Sequence, residues 1–204
     1  MSNEYWAEFK QIGKDVFRFN TRIYLDPIST IESDDRCLGA VVGINPGSAV
    51  SSAIGKGIQE IKLNGDGLLP NVRSIVKKSY KEAKETPPVR GYVQVLNLFY
   101  LCNPVKEEAI SEFAQHNKVE QCPTENQSFP WVWYVWGEPS NNLNHHKIRF
   151  KNLKTKQHFY YDNNSKKVVF EPASDAAWPR HTRGFEHNLI VPDISKVIKN
   201  VTCL

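Results

Sequence analysis

The chain has 204 residues, 40% of them hydrophobic and 24% charged, the make-up of a soluble globular protein with one sizeable core. Its formal net charge of +4 permits an anionic ligand but falls short of the dense Lys/Arg loading of a dedicated nucleic-acid binder. No stretch approaches the ~20 apolar residues that span a bilayer, and Met1 to Trp6 lack the basic-then-apolar pattern of a signal peptide.

Residues 1–12 read as a short helix with Tyr5, Trp6 and Phe9 on one face. From Val16 to Leu25 the pattern alternates, with Phe17, Phe19, Thr21, Ile23 and Leu25 against Arg18, Asn20, Arg22 and Tyr24. That period of two predicts a half-buried strand near a sheet edge, ended by Asp26-Pro27. Residues 28–36 are polar and read as a loop. Leu38 to Ile44 is an apolar run and the first central strand. Residues 48–69 hold Gly55, Gly57, Gly65 and Gly67 and read as an irregular loop, either mobile or ordered by ligand. Val72, Ile75, Val76, Tyr80 and Ala83 recur at helical spacing until Pro87-Pro88. Val93 to Phe99 is a second buried strand. Asn103-Pro104 reads as an N-cap and first helical position, with Val105, Ala109, Ile110 and Phe113 as the apolar face. Trp131 to Trp136 is a third strand, ended by Gly137. Within 138–180, an insertion, Phe159-Tyr160-Tyr161 and Val168-Val169-Phe170 flank Asp162 to Ser165 as a hairpin. Asn188 to Val191 reads as a short last strand. Strand and helix alternate, and the strands are apolar on both faces. The pattern predicts a single α/β domain over residues 1–204, three layers with a mostly parallel sheet between helices.

The most informative stretch is Gly43-Ile44-Asn45-Pro46-Gly47. It follows a buried strand, and strand ends are where open α/β sheets place ligands. Asn45 carries an amide that donates and accepts. Pro46 stiffens the loop and extends Asn45, and Gly47 lets backbone approach a ligand. A turn in which Asn45 and Pro46 serve geometry alone fits the same residues. The stretch is no phosphate-binding P-loop, since Gly55-Lys56 is followed by Gly57 and Val50 stands where that motif has its first Gly. A second cluster, Pro179-Arg180-His181-Thr182-Arg183, offers two guanidinium groups and an imidazole, against the reading of a solvated basic turn. Trp136-Gly137 sits at a strand end, where the ring is placed to stack a planar ligand or simply to fill the core. Asn97 is a polar residue within an apolar strand and needs a partner if buried.

His145-His146 are adjacent, so their side chains diverge, and no metal is assigned. The four cysteines, Cys37, Cys102, Cys122 and Cys203, form no CxxC pair. They fit neither a zinc site nor a compact disulfide framework and read as free thiols of a cytoplasmic protein. No cofactor is called for.

Gly43-Ile44-Asn45-Pro46-Gly47 resembles the first motif of the mismatch-specific branch of the uracil-DNA glycosylase superfamily, in which the asparagine positions the water that attacks the sugar. Read across residues 16–192, the chain resembles a family of unknown function, the DUF1643 proteins. The matching features, in order, are an Arg-containing β segment (Arg18 to Leu25), the Asn45-Pro46-Gly47-Ser48-Ala49 loop, Asp66 before a helix with Arg73, Leu96-Asn97-Leu98-Phe99 with Pro104, Trp136-Gly137, and Pro179-Arg180-His181. The chain departs from that family at Thr182-Arg183, where His181 is usually followed by Pro-Leu, and in the longer segment between Trp136 and Pro179. It matches only the histidine of the late glycosylase motif. The resemblance implies a fold similar to that of uracil-DNA glycosylases and one crevice. Asn45 and His181 would act there as the catalytic pair, with Gly43, Pro46, Gly47, Ser48, Asp66, Asn97, Trp136, Gly137, Arg180 and Arg183 binding the ligand. Three functions are expected to compete: hydrolysis of an N-glycosidic bond in a nucleotide or nucleic acid, binding of a nucleotide, nucleobase or nucleic acid without turnover, and a protein-interaction module.

Overall fold

A computed structural model describes residues 3–49, 54–114, 121–138 and 140–202. Eight strands form one mixed sheet: β1 (Asn3–Ile12), β2 (Asp15–Ile28), β3 (Arg36–Gly43), β4 (Ile58–Glu60), β5 (Gly91–Asn97), β6 (Ser128–Tyr134), β7 (Lys154–Asp162) and β8 (Lys167–Val169). Their spatial order is β4-β1-β2-β5-β3-β6-β7-β8. The neighbours β5-β3, β3-β6 and β6-β7 are parallel, whereas β4-β1, β1-β2, β2-β5 and β7-β8 are antiparallel. The expectation of a mostly parallel sheet of the uracil-DNA glycosylase type is therefore corrected. Parallel pairing is confined to the centre, and antiparallel strands are added on both sides.

Two misread segments explain the difference. Tyr5, Trp6 and Phe9 have a spacing that fits a helix, yet the segment is β1, hairpinned to β2 through Gly13 at φ +62°. All three aromatic residues are buried all the same, because β1 presents both of its faces to apolar neighbours. β2 is an interior strand rather than an edge, and it continues through Asp26-Pro27 to Ile28. At the other end, Asn188 to Val191 is no strand. A 3₁₀ turn (His187–Leu189) leads into an α-helix.

The alternation in β2 is broken at one residue. Asn20 has φ +49°, and between the pairs Trp6↔Arg22 and Glu8↔Phe19 the strand holds one residue more than β1. This is a β-bulge, and an extra residue exchanges the faces of everything beyond it. Phe17 and Phe19 thus pack on one side of the sheet, with Ile23 and Leu25 on the other. Asn20 Nδ2 holds the bulge by donating to Glu8 Oε2 at 2.6 Å. Consequently Arg18 shares a face with Ile23 and Leu25.

Four helices cover the sheet: α1 (Leu68–Ala83), α2 (Lys106–Phe113), α3 (Asn144–Lys151) and α4 (Val191–Thr202). The apolar residues Val72, Ile75, Val76 and Tyr80 of α1 and Ile194, Val197 and Ile198 of α4 pack on one face, against Val41, Val93, Val95, Trp131 and Trp133. Ala109 and Phe113 of α2 and Phe150 of α3 pack on the other, against Ala40, Val42, Leu96, Val132 and Tyr134. Each central strand therefore sends alternate side chains to opposite layers. Trp131 crosses β3 where Gly39 leaves room, since a Cβ at Gly39 would meet the indole at 2.1 Å. The β7–β8 hairpin lies over Asp162 to Ser165 as expected. No described helix is long and apolar enough to cross a membrane.

Candidate functional site

β3 sits between β5 and β6. The chain leaves the carboxyl end of β3 toward α1 and β5, and leaves that of β6 toward α3 and β7, on the opposite side. The two loops diverge and open a crevice, as they do at the switch points of α/β sheets. A cleft of about 450 Å³ occupies this position, within the ~300–1,000 Å³ typical of small-molecule sites.

The loop after β3 supplies Asn45, Pro46, Gly47 and Ser48. Asn45 Nδ2 donates to the Asn103 carbonyl at 2.7 Å, so Oδ1 is the end of the amide left to accept within the cleft. Gly47 takes φ +67°, a conformation glycine adopts without strain, and a Cβ there would lie 3.8 Å from Asp66 Oδ2. Asp66 precedes α1 and caps it: Oδ1 accepts from the N–H groups of Leu68 at 2.9 Å and Leu69 at 3.2 Å, satisfying two donors of the first turn. Ser48 Oγ donates to the Asn64 carbonyl at 3.1 Å, holding the loop against the turn that carries Asp66.

Below them lies Arg18, which the sequence pattern assigned to the polar side of an edge strand. Its side chain is 2% exposed, and Nη1 lies 3.7 Å from Asp66 Oδ2 and 3.5 Å from the Ala49 carbonyl. Burial pulls the guanidinium pKa down, and the Asp66 charge opposes that. Arg18 Nε has no partner among the described residues, and neither do Asn97 Nδ2 and Trp136 Nε1, all three of them buried. Asn97 ends β5, and its backbone is braced from α3, where Arg149 Nη2 donates to the carbonyls of Asn97 at 3.2 Å and Leu98 at 2.6 Å. Trp136 is 1% exposed and packs on Tyr134 at 4.9 Å between ring centroids. It lines the cleft, but a ring this deeply buried is not open for stacking.

His181 faces Gly137, where a Cβ would lie 3.7 Å from the His181 Cβ. Gly137 N–H donates to the Pro179 carbonyl at 2.8 Å, which ties the late loop to the end of β6. His181 Nδ1 accepts from the Arg183 backbone N–H at 3.0 Å, which places the ring proton on Nε2 when the imidazole is neutral. Burial lowers the His181 pKa, and the positive charges of Arg183 and Lys106 lower it further, against the opposing pull of Asp66.

Of the residues expected at the site, Asn45, Pro46, Gly47, Ser48, Asp66, Asn97, Trp136, Gly137, His181 and Arg183 line this cleft. Two do not. Gly43 lies beneath, where a Cβ would meet Asn97 Oδ1 at 3.0 Å. Arg180 turns away: Nη1 donates to Asn163 Oδ1 at 2.8 Å, and the guanidinium lies over the Phe185 ring at 5.7 Å. Arg18, Lys106 and Glu138 also line the cleft, unannounced by any motif. Only the position of Arg18 inside the Arg-containing β segment hinted at it.

A second hollow, of about 550 Å³, lies between α2 and residues 142–146, lined by His145 and His146. Burial holds His146 neutral, with a pKa lowered to about 4. Among the described residues no group of three or more His, Cys, Asp or Glu side chains is arranged to hold a metal ion. Cys37, Cys102 and Cys122 are free thiols, and Cys203 lies outside the described residues.

Comparison with protein families, with curated proteins and with solved structures finds no match to this chain.

Proposed function

We propose that the cleft binds a nucleoside or nucleotide and hydrolyses its N-glycosidic bond. The observation that carries this reading is that Asn45, Asp66 and His181, far apart in sequence, line one cleft at the carboxyl ends of β3 and β6. The resemblance of Gly43 to Gly47 to the water-positioning motif of mismatch-specific glycosylases supports it. In this reading Asn45 Oδ1 accepts a hydrogen bond from a water molecule and aims its oxygen at the anomeric carbon. The new C–O bond forms as the C–N bond breaks, and the base departs with the electron pair. His181, neutral and carrying its proton on Nε2, donates a hydrogen bond to the departing base. Asp66 Oδ2, the oxygen not used in capping α1, takes the proton from the water and returns it to the base.

A second reading is the same ligand held without turnover. It is favoured by the engagement of Asp66, which spends one oxygen on α1 and faces Arg18 with the other. One experiment separates the two. The protein is incubated with nucleosides, nucleoside monophosphates and oligonucleotides carrying deaminated bases, and free base is measured chromatographically. Base release that Asn45→Ala abolishes supports hydrolysis. Saturable binding with no base released from any substrate removes hydrolysis and leaves the binding reading.

A further inference from the structure

We infer that the cleft receives a phosphate monoester, as on a free nucleotide, with Lys106 and Arg183 at its rim holding the phosphate. The inference rests on the nucleotide reading above and narrows it to a small ligand rather than a polymer.

The two ends of the cleft differ in chemistry. At the buried end, three donors lack partners among the described residues: Arg18 Nε, Asn97 Nδ2 and Trp136 Nε1. Each belongs to a side chain at most 2% exposed. An unpaired buried donor is costly, so this end favours a ligand rich in acceptor oxygens or ring nitrogens. At the rim, Lys106 is half-buried and Arg183 exposed. Both line the same cleft as His181. Neither is held in an ion pair with a described carboxylate. A lysine provides a point charge and an arginine a planar fork, a combination suited to a phosphate oxygen cluster.

Charge around the mouth decides between monoester and polymer. Exposed Glu138 lines the same cleft, and Glu107 and Glu108, also exposed, follow Lys106 in the first turn of α2. A polynucleotide leaving the cleft would bring further phosphates past these carboxylates. A monoester carries about −1.5 to −2 charge on one group near neutral pH and meets two cations without extending beyond them.

The test is calorimetric titration with four probes: a nucleoside, its 5′-monophosphate, inorganic phosphate, and a ten-nucleotide single strand without terminal phosphate. The monophosphate is expected to bind at least tenfold tighter than the nucleoside. A Lys106→Gln/Arg183→Gln double variant, with its circular dichroism unchanged, is expected to lose that advantage. Arg180→Gln, outside the cleft, is expected to keep it. Equal affinity for nucleoside and monophosphate overturns the inference while the nucleotide reading stands. An oligonucleotide that binds as tightly as the monophosphate also overturns it. Inorganic phosphate bound by the parent and lost in the double variant, with no nucleoside binding at any concentration, supports the phosphate receptor and removes the nucleotide reading instead.

Discussion

Arg18 Nη1 lies 3.7 Å from Asp66 Oδ2, with the two side chains 2% and 7% exposed. The pair joins a strand in the antiparallel part of the sheet to the N-terminal cap of α1, directly under the loop that carries Asn45. Removing one partner of a buried pair leaves an uncompensated charge, at a cost of ~3–5 kcal/mol. Asp66→Ala also removes the cap from Leu68 and Leu69. It is expected to lower the free energy of urea unfolding by an amount in that range. Asp66→Asn, which keeps an acceptor for α1, is expected to cost less. Equal losses would place the effect in the ion pair alone.

The bulge at Asn20 decides which way Arg18 faces. Asn tolerates φ +49° where a β-branched residue does not. Asn20→Val is expected to destabilise by ~1–2 kcal/mol or more, and Asn20→Gly to be milder. Deleting residue 20 would remove the extra residue and leave Phe17 and Phe19 on the face opposite Ile23 and Leu25, so Arg18 keeps its face. The expected result is a folded protein that keeps ligand binding, read from thermal unfolding and titration together, whereas an insertion after residue 20 is expected to lose it.

Gly39 is expected to be intolerant of any side chain. A Cβ at 2.1 Å from the Trp131 ring has no flexible neighbour to displace, because Trp131 is fully buried against Phe159. Overpacking typically costs ~1–3 kcal/mol, and Gly39→Ala is expected at the upper end or beyond, measured by denaturant midpoint.

Stability is expected to fall as the pH drops from 6.5 toward 4. Burial lowers the pKa of His146 to about 4, and those of His158 and His181 are lowered by burial as well. Above pH ~6.5 these rings are neutral in both states. Below it the unfolded chain takes up protons that the folded protein refuses, and unfolding is favoured. Asp35 and Asp162, held below the usual carboxylate range, add their losses only below pH ~4. His146→Phe, placed to pack on Phe113, is expected to flatten the slope of unfolding free energy against pH. An unchanged slope would assign it to other groups.

His181 is expected to matter to rate through a hydrogen bond. Loss of a donor to a developing anion costs ~10²–10³-fold in kcat, so His181→Ala is expected to lose that much base release with KM little changed. Because burial lowers the His181 pKa, the acid limb of the pH–rate profile is expected below pH 6.5.

Several features were legible because one physical signal dominated. The near-continuous apolar runs Val93 to Phe99 and Trp131 to Trp136 require burial on two faces, and the helical spacing of Val72 to Ala83 has no competing reading. Asn45 and Asn97 read at or near strand ends from their own segments, whereas Asp66 and His181 join them only through the family resemblance. What stayed hidden depended on contacts between distant segments. Tyr5, Trp6 and Phe9 are spaced for a helix, and only pairing with β2 and β4 makes β1 a strand. In α3 the buried residues are His146, Lys147 and Phe150, so no apolar stripe announces the helix. Lys147 is tolerated there because Nζ donates to Asn144 Oδ1 and the Asp175 carbonyl, each at 2.9 Å. Arg18 was assigned to the polar side because period-two reasoning cannot see a bulge. Arg180 and Arg183 stand three residues apart, and the sequence does not say which one reaches the cleft.

The cleft draws its walls from position 18 to position 183, nearly the whole described chain. No fragment carries it, and a molecule that has lost either end has lost the site. Occupancy is therefore linked to global unfolding rather than to the fraying of one loop. A ligand at a hundred times its Kd would add ~2.7 kcal/mol to the unfolding of the entire protein. Its signature in hydrogen exchange would be slower exchange in the slowest amides along the whole of β3, β5 and β6, and not only at the carboxyl ends that line the cleft.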